Sequence, residues 1–296
     1  LSSGDKKGTP TAGGLLILIT SGVSVLMICD LSNPRVWLVL LAIVLFSYLG
    51  HFDDKSKKIN KSADGGASRI TKLIPQFFFG VLLGSLLLPW SGLFPPITDP
   101  DKAMKLKDSL FMLDQGAFYM PFFQAPLVVI GELNPFGESF EQIWFFLVAS
   151  GVGVCWSILM SNAVNYTDGL DGLLSVPALL CFVVLGVFSY IHGTETFAYR
   201  LIFPYIEGVN ELTIICSIFM GSCLGFAWYN VFPADVFMGD TGSLMLGGVM
   251  LTIAWLIREE LILVLAGAIF LVEFFSSAFQ DYYFFRRKGK RVFRAV

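Results

Sequence analysis

Residues 34–61, PRVWLVLLAIVLFSYLGHFDDKSKKINK, decide the fold, because an apolar run leads directly into two acids and a group of lysines. A bilayer-spanning helix needs about 20 mainly apolar residues, and the first part of this stretch meets that need. Asp53 and Asp54 therefore lie at a membrane surface. Their carboxylate oxygens suit a hard divalent cation such as Mg²⁺, which also binds phosphate oxygens and water. The alternative is a solvated acidic loop without chemistry.

The composition identifies a membrane protein of the all-α class. Hydrophobic residues make up 55% of the 296 residues and charged residues 15%, and the mean hydropathy is +0.71, outside the range of soluble domains. The five cysteines lie in apolar stretches without metal-ligand spacing, which argues against a disulfide framework or a zinc site. We predict a polytopic helical bundle with eight spans, at residues 13–30, 34–51, 71–90, 140–161, 172–192, 210–229, 242–258 and 260–285.

The basic residues orient this bundle. With eight spans both chain ends lie on one side, and the connections on that side hold fourteen of the twenty Lys and Arg residues if Lys72 is included. By the positive-inside rule this side is cytoplasmic. Residues 91–139 form a long outer segment, in which residues 121–130, PFFQAPLVVI, are expected to form a short hairpin or to lie on the surface. Two prolines in this run argue against a ninth span.

Two polar motifs lie early in the chain. Residues 6–14, KKGTPTAGG, combine glycines that allow close backbone approach with lysine and threonine donors suited to phosphate or ribose oxygens. A topology signal followed by a turn is the alternative. The acid pair is followed by Lys57, Lys61, Arg69 and Lys72, which can balance the acids and hold a lipid phosphate or a pyrophosphate.

Two further motifs lie in later connections on the same side. Residues 162–173, NAVNYTDGLDGL, place two asparagines and two aspartates in a tight loop. Residues 232–243, FPADVFMGDTGS, bring Phe237, Gly239 and Asp240 within four positions, enough to stack on a flat base and hold a metal. A helix starting near Thr241 would direct N–H groups at a phosphate, whereas ordinary packing of Phe237 and helix capping by Asp240 are the alternatives.

Together the motifs resemble those of the polyprenyl-phosphate N-acetylhexosamine-1-phosphate transferases. KKGTPTAGG, NAVNYTDGLDGL and VFMGDTGSL (residues 236–244) are most similar to the group that makes the peptidoglycan precursor lipid I. The resemblance implies transfer of phospho-N-acetylmuramoyl-pentapeptide from UDP to undecaprenyl phosphate, with Mg²⁺ and release of UMP. It also implies a bacterial inner membrane location with a cytoplasmic site, no nucleic-acid partner, and an assembly that could include a homodimer.

The resemblance assigns roles by motif position. Asp53 and Asp54 match the acid pair needed for catalysis, and Asp240 matches the metal-associated aspartate. Lys57 and Lys61 match positions near the nucleoside pocket. The residues expected to line that pocket are Lys6, Thr11, Asn165, Asp168, Asp171, Phe237 and Gly239.

The resemblance also implies features that this sequence lacks or changes. The family has ten spans, so we expect residues 1–296 to be a single transmembrane transferase domain, with one span before Leu1 and one after Val296. A histidine-rich motif is expected shortly after Arg294. Segment 91–139 is longer than expected, and His51 stands where an apolar or small residue is expected.

Two questions stay open from the sequence. The first is the mechanism: direct attack by the lipid phosphate, with Asp53 or Asp54 as proton acceptor or metal ligand, competes with a covalent aspartyl-phosphate intermediate. The second is the function, because a relative using UDP-N-acetylglucosamine, or a transporter or flippase, would share many features. Transporters place charges near the bilayer midplane, whereas most acids here lie at the cytoplasmic ends of spans.

Overall fold

The computed structural model describes residues 11, 13–60, 66–87, 117–119, 126–129, 141–169, 171–201 and 203–286. Two residues predicted for the site, Lys6 and Lys61, lie outside these ranges. The described helices are α1 (Gly13–Ile28), α2 (Pro34–Asn60), α3 (Arg69–Ser85), α4 (Glu141–Tyr166), α5 (Ser175–Gly193), α6 (Glu195–Leu201), α7 (Asn210–Asn230), α8 (Asp240–Leu256), α9 (Glu260–Ala266) and α10 (Ala268–Arg286).

The helices confirm a polytopic membrane bundle. Helices α2, α4, α5 and α7 are long and apolar enough to cross a membrane. The last predicted span is broken into α9 and α10, which meet at 74° around Gly267. Helices α1, α3 and α8 are shorter apolar helices. Each of the eight predicted segments thus corresponds to one helix or, for the last, to a bent pair.

Two boundaries differ from the prediction in a way that matters for the site. Helix α2 continues to Asn60, so that the acid pair and its lysines lie on a helix and not in a loop. Residues 51–60 contain neither glycine nor proline, and Asp53 and Lys57 form a favourable pair at i, i+4. Helix α4 likewise continues to Tyr166, and the predicted loop begins after it.

Helix α8 forms the centre of the bundle. Every residue from Thr241 to Leu256 is buried, as expected for a helix that is apolar on all sides. It packs mainly against α2 and α4. The indole of Trp156 on α4 donates to the carbonyl of Leu251 at 3.2 Å, and the indole of Trp255 donates to Leu83 on α3 at 2.9 Å. These contacts fix the position of α8 along its own axis relative to α3 and α4.

A short antiparallel hairpin lies in the outer segment. Strand β1 (Ala117–Tyr119) pairs with β2 (Pro126–Val129), with Ala117 opposite Val129 and Phe118 opposite Val128. The register shifts between Phe118 and Tyr119. A hairpin was predicted within residues 121–130, but its first strand lies before that run.

Candidate active site

The two adjacent acids on α2 point to different neighbours, because successive helical residues are separated by about 100° around the axis. Asp53 is fully buried and faces the start of α3. Its Oδ1 accepts a hydrogen bond from the Ala67 amide at 2.7 Å and pairs with Lys72 Nζ at 2.9 Å. Its Oδ2 pairs with Lys57 Nζ at 2.8 Å. Asp53 therefore holds two lysines in fixed positions.

Asp54 faces the N-terminus of α8. Its Oδ1 accepts from the Asp240 amide at 3.1 Å, and its Oδ2 accepts from the Thr241 amide at 3.0 Å and the Thr241 hydroxyl at 2.7 Å. The expectation that these N–H groups bind a phosphate is therefore wrong, because a carboxylate from another helix already accepts from them. Capping by Asp240 is wrong too, since the cap residue is Gly239 and Asp240 is the first residue of the helix.

Asp240 joins the acids to the third motif. Its Oδ2 lies 2.5 Å from Lys57 Nζ and 3.9 Å from Lys72 Nζ. Its Oδ1 accepts from Asn165 Nδ2 at 3.1 Å, and the same amide nitrogen donates to the Ser243 hydroxyl at 2.8 Å. We call Asp53, Lys57, Lys72, Asn165 and Asp240 the carboxylate cluster. It contains residues from α2, α3, α4 and α8.

The charges in this cluster shift one another's pKa values. All the groups concerned lie at the polar ends of their helices, beyond the apolar spanning segments. Burial alone would raise the pKa of Asp53, but hydrogen bonds with Asp240, Lys57 and Lys72 hold it well below its usual range. Burial raises the pKa of Asp240 to about 6, and Asp53 adds to this rise while Lys57 opposes it. Asp53 is therefore the more firmly ionised of the two acids.

The end of the first motif packs directly on the fourth. The amides of Gly13 and Gly14 donate to the carbonyls of Phe237 and Met238 at 3.0 and 2.9 Å. Gly239 has φ of +75°, and a Cβ there would lie 3.0 Å from the Thr11 carbonyl oxygen and 3.2 Å from Asp54 Oδ2. Both the backbone conformation and the space favour glycine at this position. Thr11 and Gly239 are thus brought to the edge of the carboxylate cluster.

The third motif also reaches the fourth. Asp171 Oδ2 accepts from the Ala234 amide at 3.3 Å. Asn230, at the end of α7, accepts from the Gly172 amide at 3.1 Å and donates to the Val236 carbonyl at 3.0 Å. Sequence reasoning missed Asn230 because it ends an apolar span outside any motif. Its contacts hold the loop after α4 against the segment before α8.

The remaining predicted residues lie in the same connections. Phe237 is half-buried, and its carbonyl accepts from Gly13 as described above. Asp168 is also half-buried, and its amide donates to the Asn165 carbonyl at 3.2 Å. The side chains of Thr241 and Ser243 were missed as well, although both stand in the fourth motif.

The donor set of the carboxylate cluster fits Mg²⁺. The carboxylates of Asp53 and Asp240 supply hard oxygen atoms, and Lys57 already shows that a cation is held between them. The described residues contain no group of three His, Cys, Asp or Glu residues arranged to hold a metal. Mg²⁺ needs no such group, because it is commonly bound through one or two carboxylates together with phosphates and water.

Two comparisons with known proteins bear on the family of this chain. The profile of glycosyl transferase family 4 matches residues 36–258, a range that includes the whole carboxylate cluster. A phospho-N-acetylmuramoyl-pentapeptide-transferase from Desulfotalea psychrophila is 38% identical over 288 residues, which cover 97% of this chain and 70% of the relative.

Proposed function

The chain belongs to glycosyl transferase family 4, and from that premise we propose that it makes lipid I. In this reaction phospho-N-acetylmuramoyl-pentapeptide passes from its UDP carrier to undecaprenyl phosphate, and UMP is released. The relative that is 38% identical carries the name of this transferase. The observation that carries the proposal is the carboxylate cluster, which joins charged groups from α2, α3 and α8 with an amide from α4.

The reaction brings together two anionic substrates that repel each other, and the lysines of the cluster supply positive charge between them. An oxygen of the lipid phosphate forms a bond to the sugar-bearing phosphorus, and the bond from this phosphorus to the UMP oxygen breaks. Lys57 and Lys72 supply positive charge beside the acids, which reduces the repulsion between the two substrates. Asp53 keeps both ammonium groups in place through its two oxygens.

Asp240 is the residue that we assign to Mg²⁺, with the Asn165 amide beside it. When bound, Mg²⁺ would supply Lewis-acid stabilisation of the pyrophosphate and of the departing UMP. Asp54 does not need to touch the metal. Its hydrogen bonds with the first two residues of α8 fix the position of Asp240 relative to the end of α2.

The same contacts favour direct attack over a covalent aspartyl intermediate. Both oxygens of Asp53 and both oxygens of Asp54 are already hydrogen-bonded or ion-paired. A nucleophilic aspartate would have to leave these partners, and Asp53 would also have to leave a fully buried position. The lipid phosphate is itself an anion and needs no strong base at neutral pH.

The nucleoside is assigned to the connections around the fourth motif. Phe237 offers a ring to the base, and Gly239 leaves room at its edge. Thr11, Asp168 and Asp171 lie in the adjoining segments, and Lys6 and Lys61 are proposed as further contacts. The site faces the cytoplasm of a bacterial inner membrane in this proposal, because nucleotide sugars are made there and the lysine-rich connections stay there.

Product analysis tests the function. Purified protein is incubated with undecaprenyl phosphate, Mg²⁺ and either UDP-N-acetylmuramoyl-pentapeptide or UDP-N-acetylglucosamine, and UMP is measured. We expect UMP and lipid I with the first donor only, and no product when Mg²⁺ is removed by a chelator. Turnover of UDP-N-acetylglucosamine instead would assign the chain to another surface polymer. Absence of UMP with both donors would contradict the transferase assignment.

A further inference from the structure

We propose that a pocket between the start of α1 and the end of α2 receives the phosphate of the polyprenyl lipid before transfer. This inference rests on the proposed function. The cavity has a volume of about 230 Å³. Helix α2 contributes His51, Asp54, Lys55 and Lys58 to its lining, and we call it the α1–α2 pocket. It lies on the side of α2 that faces away from Asp53, so it is separate from the carboxylate cluster.

The described lining of this pocket carries more positive than negative charge, with two lysines and one acid. The side chains of Lys55, Lys58 and His51 form no hydrogen bond or ion pair with any residue that the structure describes. By contrast, Lys57 lies within 2.8 Å of two carboxylates. The acid that lines the pocket, Asp54, already accepts three hydrogen bonds from α8. Two ammonium groups at this surface therefore favour an anion.

The surroundings of the pocket indicate a lipid and not a soluble anion. Its wall also includes Leu15 and Met238, which would gain nothing from a small, fully hydrated ion. Thr11 lines it too, so the pocket adjoins the proposed nucleoside site. An exposed apolar stripe leads to it along α2, with side chains spaced three or four residues apart as on one helix face. The stripe consists of Trp37, Leu41, Val44, Tyr48 and Phe52, which are between 42% and 67% exposed. The next position in this pattern is Lys55.

The apolar stripe and the two lysines together match a ligand with a long apolar tail and an anionic head, such as a polyprenyl phosphate. A polyprenyl tail stays in hydrocarbon because withdrawing it would expose a large apolar area to water. Along α2 it would lie on the exposed stripe, with its phosphate at the level of Lys55 and Lys58. Thr241 also lines the pocket and is adjacent in sequence to Asp240. A phosphate bound in the pocket would therefore lie next to the start of α8, where Asp240 of the carboxylate cluster is located.

The larger groove between α1 and α7 is less suited to this role. Its volume is about 680 Å³, and its lining includes Thr20, Gly221 and Gly225 but no lysine or arginine. It can accommodate apolar chains, but it offers no charge to a phosphate. The α1–α2 pocket combines the two requirements at one place.

Steady-state kinetics with the full chain tests the pocket. Lys55→Gln and Lys58→Gln should each raise the KM for undecaprenyl phosphate about fivefold, and the double variant about 25-fold, as expected for one basic residue each at a lipid surface. The KM for the UDP-sugar should stay unchanged. Lys55→Arg and Lys58→Arg should behave like the wild type. Arg200→Gln, an exposed position on α6, controls for the change in net charge.

A labelling experiment separates this proposal from the proposed function. Lys55 and Lys58 are modified with an amine-reactive reagent, and the extent is read by mass spectrometry with undecaprenyl phosphate, undecaprenol or inorganic phosphate present. We expect protection by undecaprenyl phosphate alone, whether or not any UDP-sugar is turned over. Equal labelling in all samples, or a rise in the KM for the UDP-sugar instead, would overturn the proposal. Protection by inorganic phosphate at the same concentration would also overturn it, in favour of a soluble anion.

Discussion

At the scale of single residues, Asp54 and Asp240 should fail in different ways when they are changed. Asp54→Ala removes three hydrogen bonds at the start of α8, and loss of a helix cap costs about 0.5–2 kcal/mol. We expect a lower Tm and lost turnover. Asp240→Asn keeps an oxygen for Asn165 and should lose turnover with a near-normal Tm. Thermal unfolding gives the Tm of each variant, and UMP release gives its turnover. If Asp54→Ala had the same Tm as Asp240→Asn, the capping role of Asp54 would be contradicted.

Phe237 provides a second test at this scale. Stacking of a base on an aromatic ring is worth about 1–3 kcal/mol, so Phe237→Ala should weaken UDP-sugar binding by roughly five- to 150-fold. Binding of undecaprenyl phosphate should change little. Phe237→Tyr retains the ring and serves as the control. Equal losses for both substrates would mean that Phe237 supports the local fold and not the base.

At the scale of elements, the contact between α2 and the start of α8 decides whether the site forms. A Cβ added to Gly50 would overlap the carbonyl oxygen of Asp240. Gly50→Ala should therefore push α8 away from Asp54 and abolish turnover, with reduced yield of folded protein. Gly151→Ala on α4 is the matched control, because its added Cβ would meet nothing within 4 Å. A fully active Gly50→Ala variant would show that this close contact is not required.

The contact between α2 and the start of α8, together with the contacts of Asn230, shows what the sequence could and could not predict. Hydrophobic runs located the spans, and motif order placed Asp53, Asn165 and Asp240 on one membrane side. The different directions of the Asp53 and Asp54 side chains depend on α2 continuing past the apolar run, which hydropathy does not reveal. Asn230 was missed because a single amide at the end of an apolar helix carries no pattern. Its importance comes from contacts between residues 58 positions apart, such as that with Gly172.

At the scale of the whole molecule, the helix directions place the lysine-rich end of α2 and helix α6 on opposite sides of the bundle. The end of α2 contacts the start of α8 through Asp54 and Asp240, whereas the end of α5 contacts the residues after α8 through His192 and Glu259. Helix α5 leads into α6, which holds Arg200. In spheroplasts a membrane-impermeant maleimide should therefore label Arg200→Cys, and should label Lys58→Cys only after the membrane is opened. Both variants are made in a chain whose five native cysteines are replaced by serine or alanine. Labelling of Lys58→Cys in sealed spheroplasts would place the carboxylate cluster outside the cell. The site could not then meet a nucleotide sugar made in the cytoplasm, and the transferase proposal would fail with it.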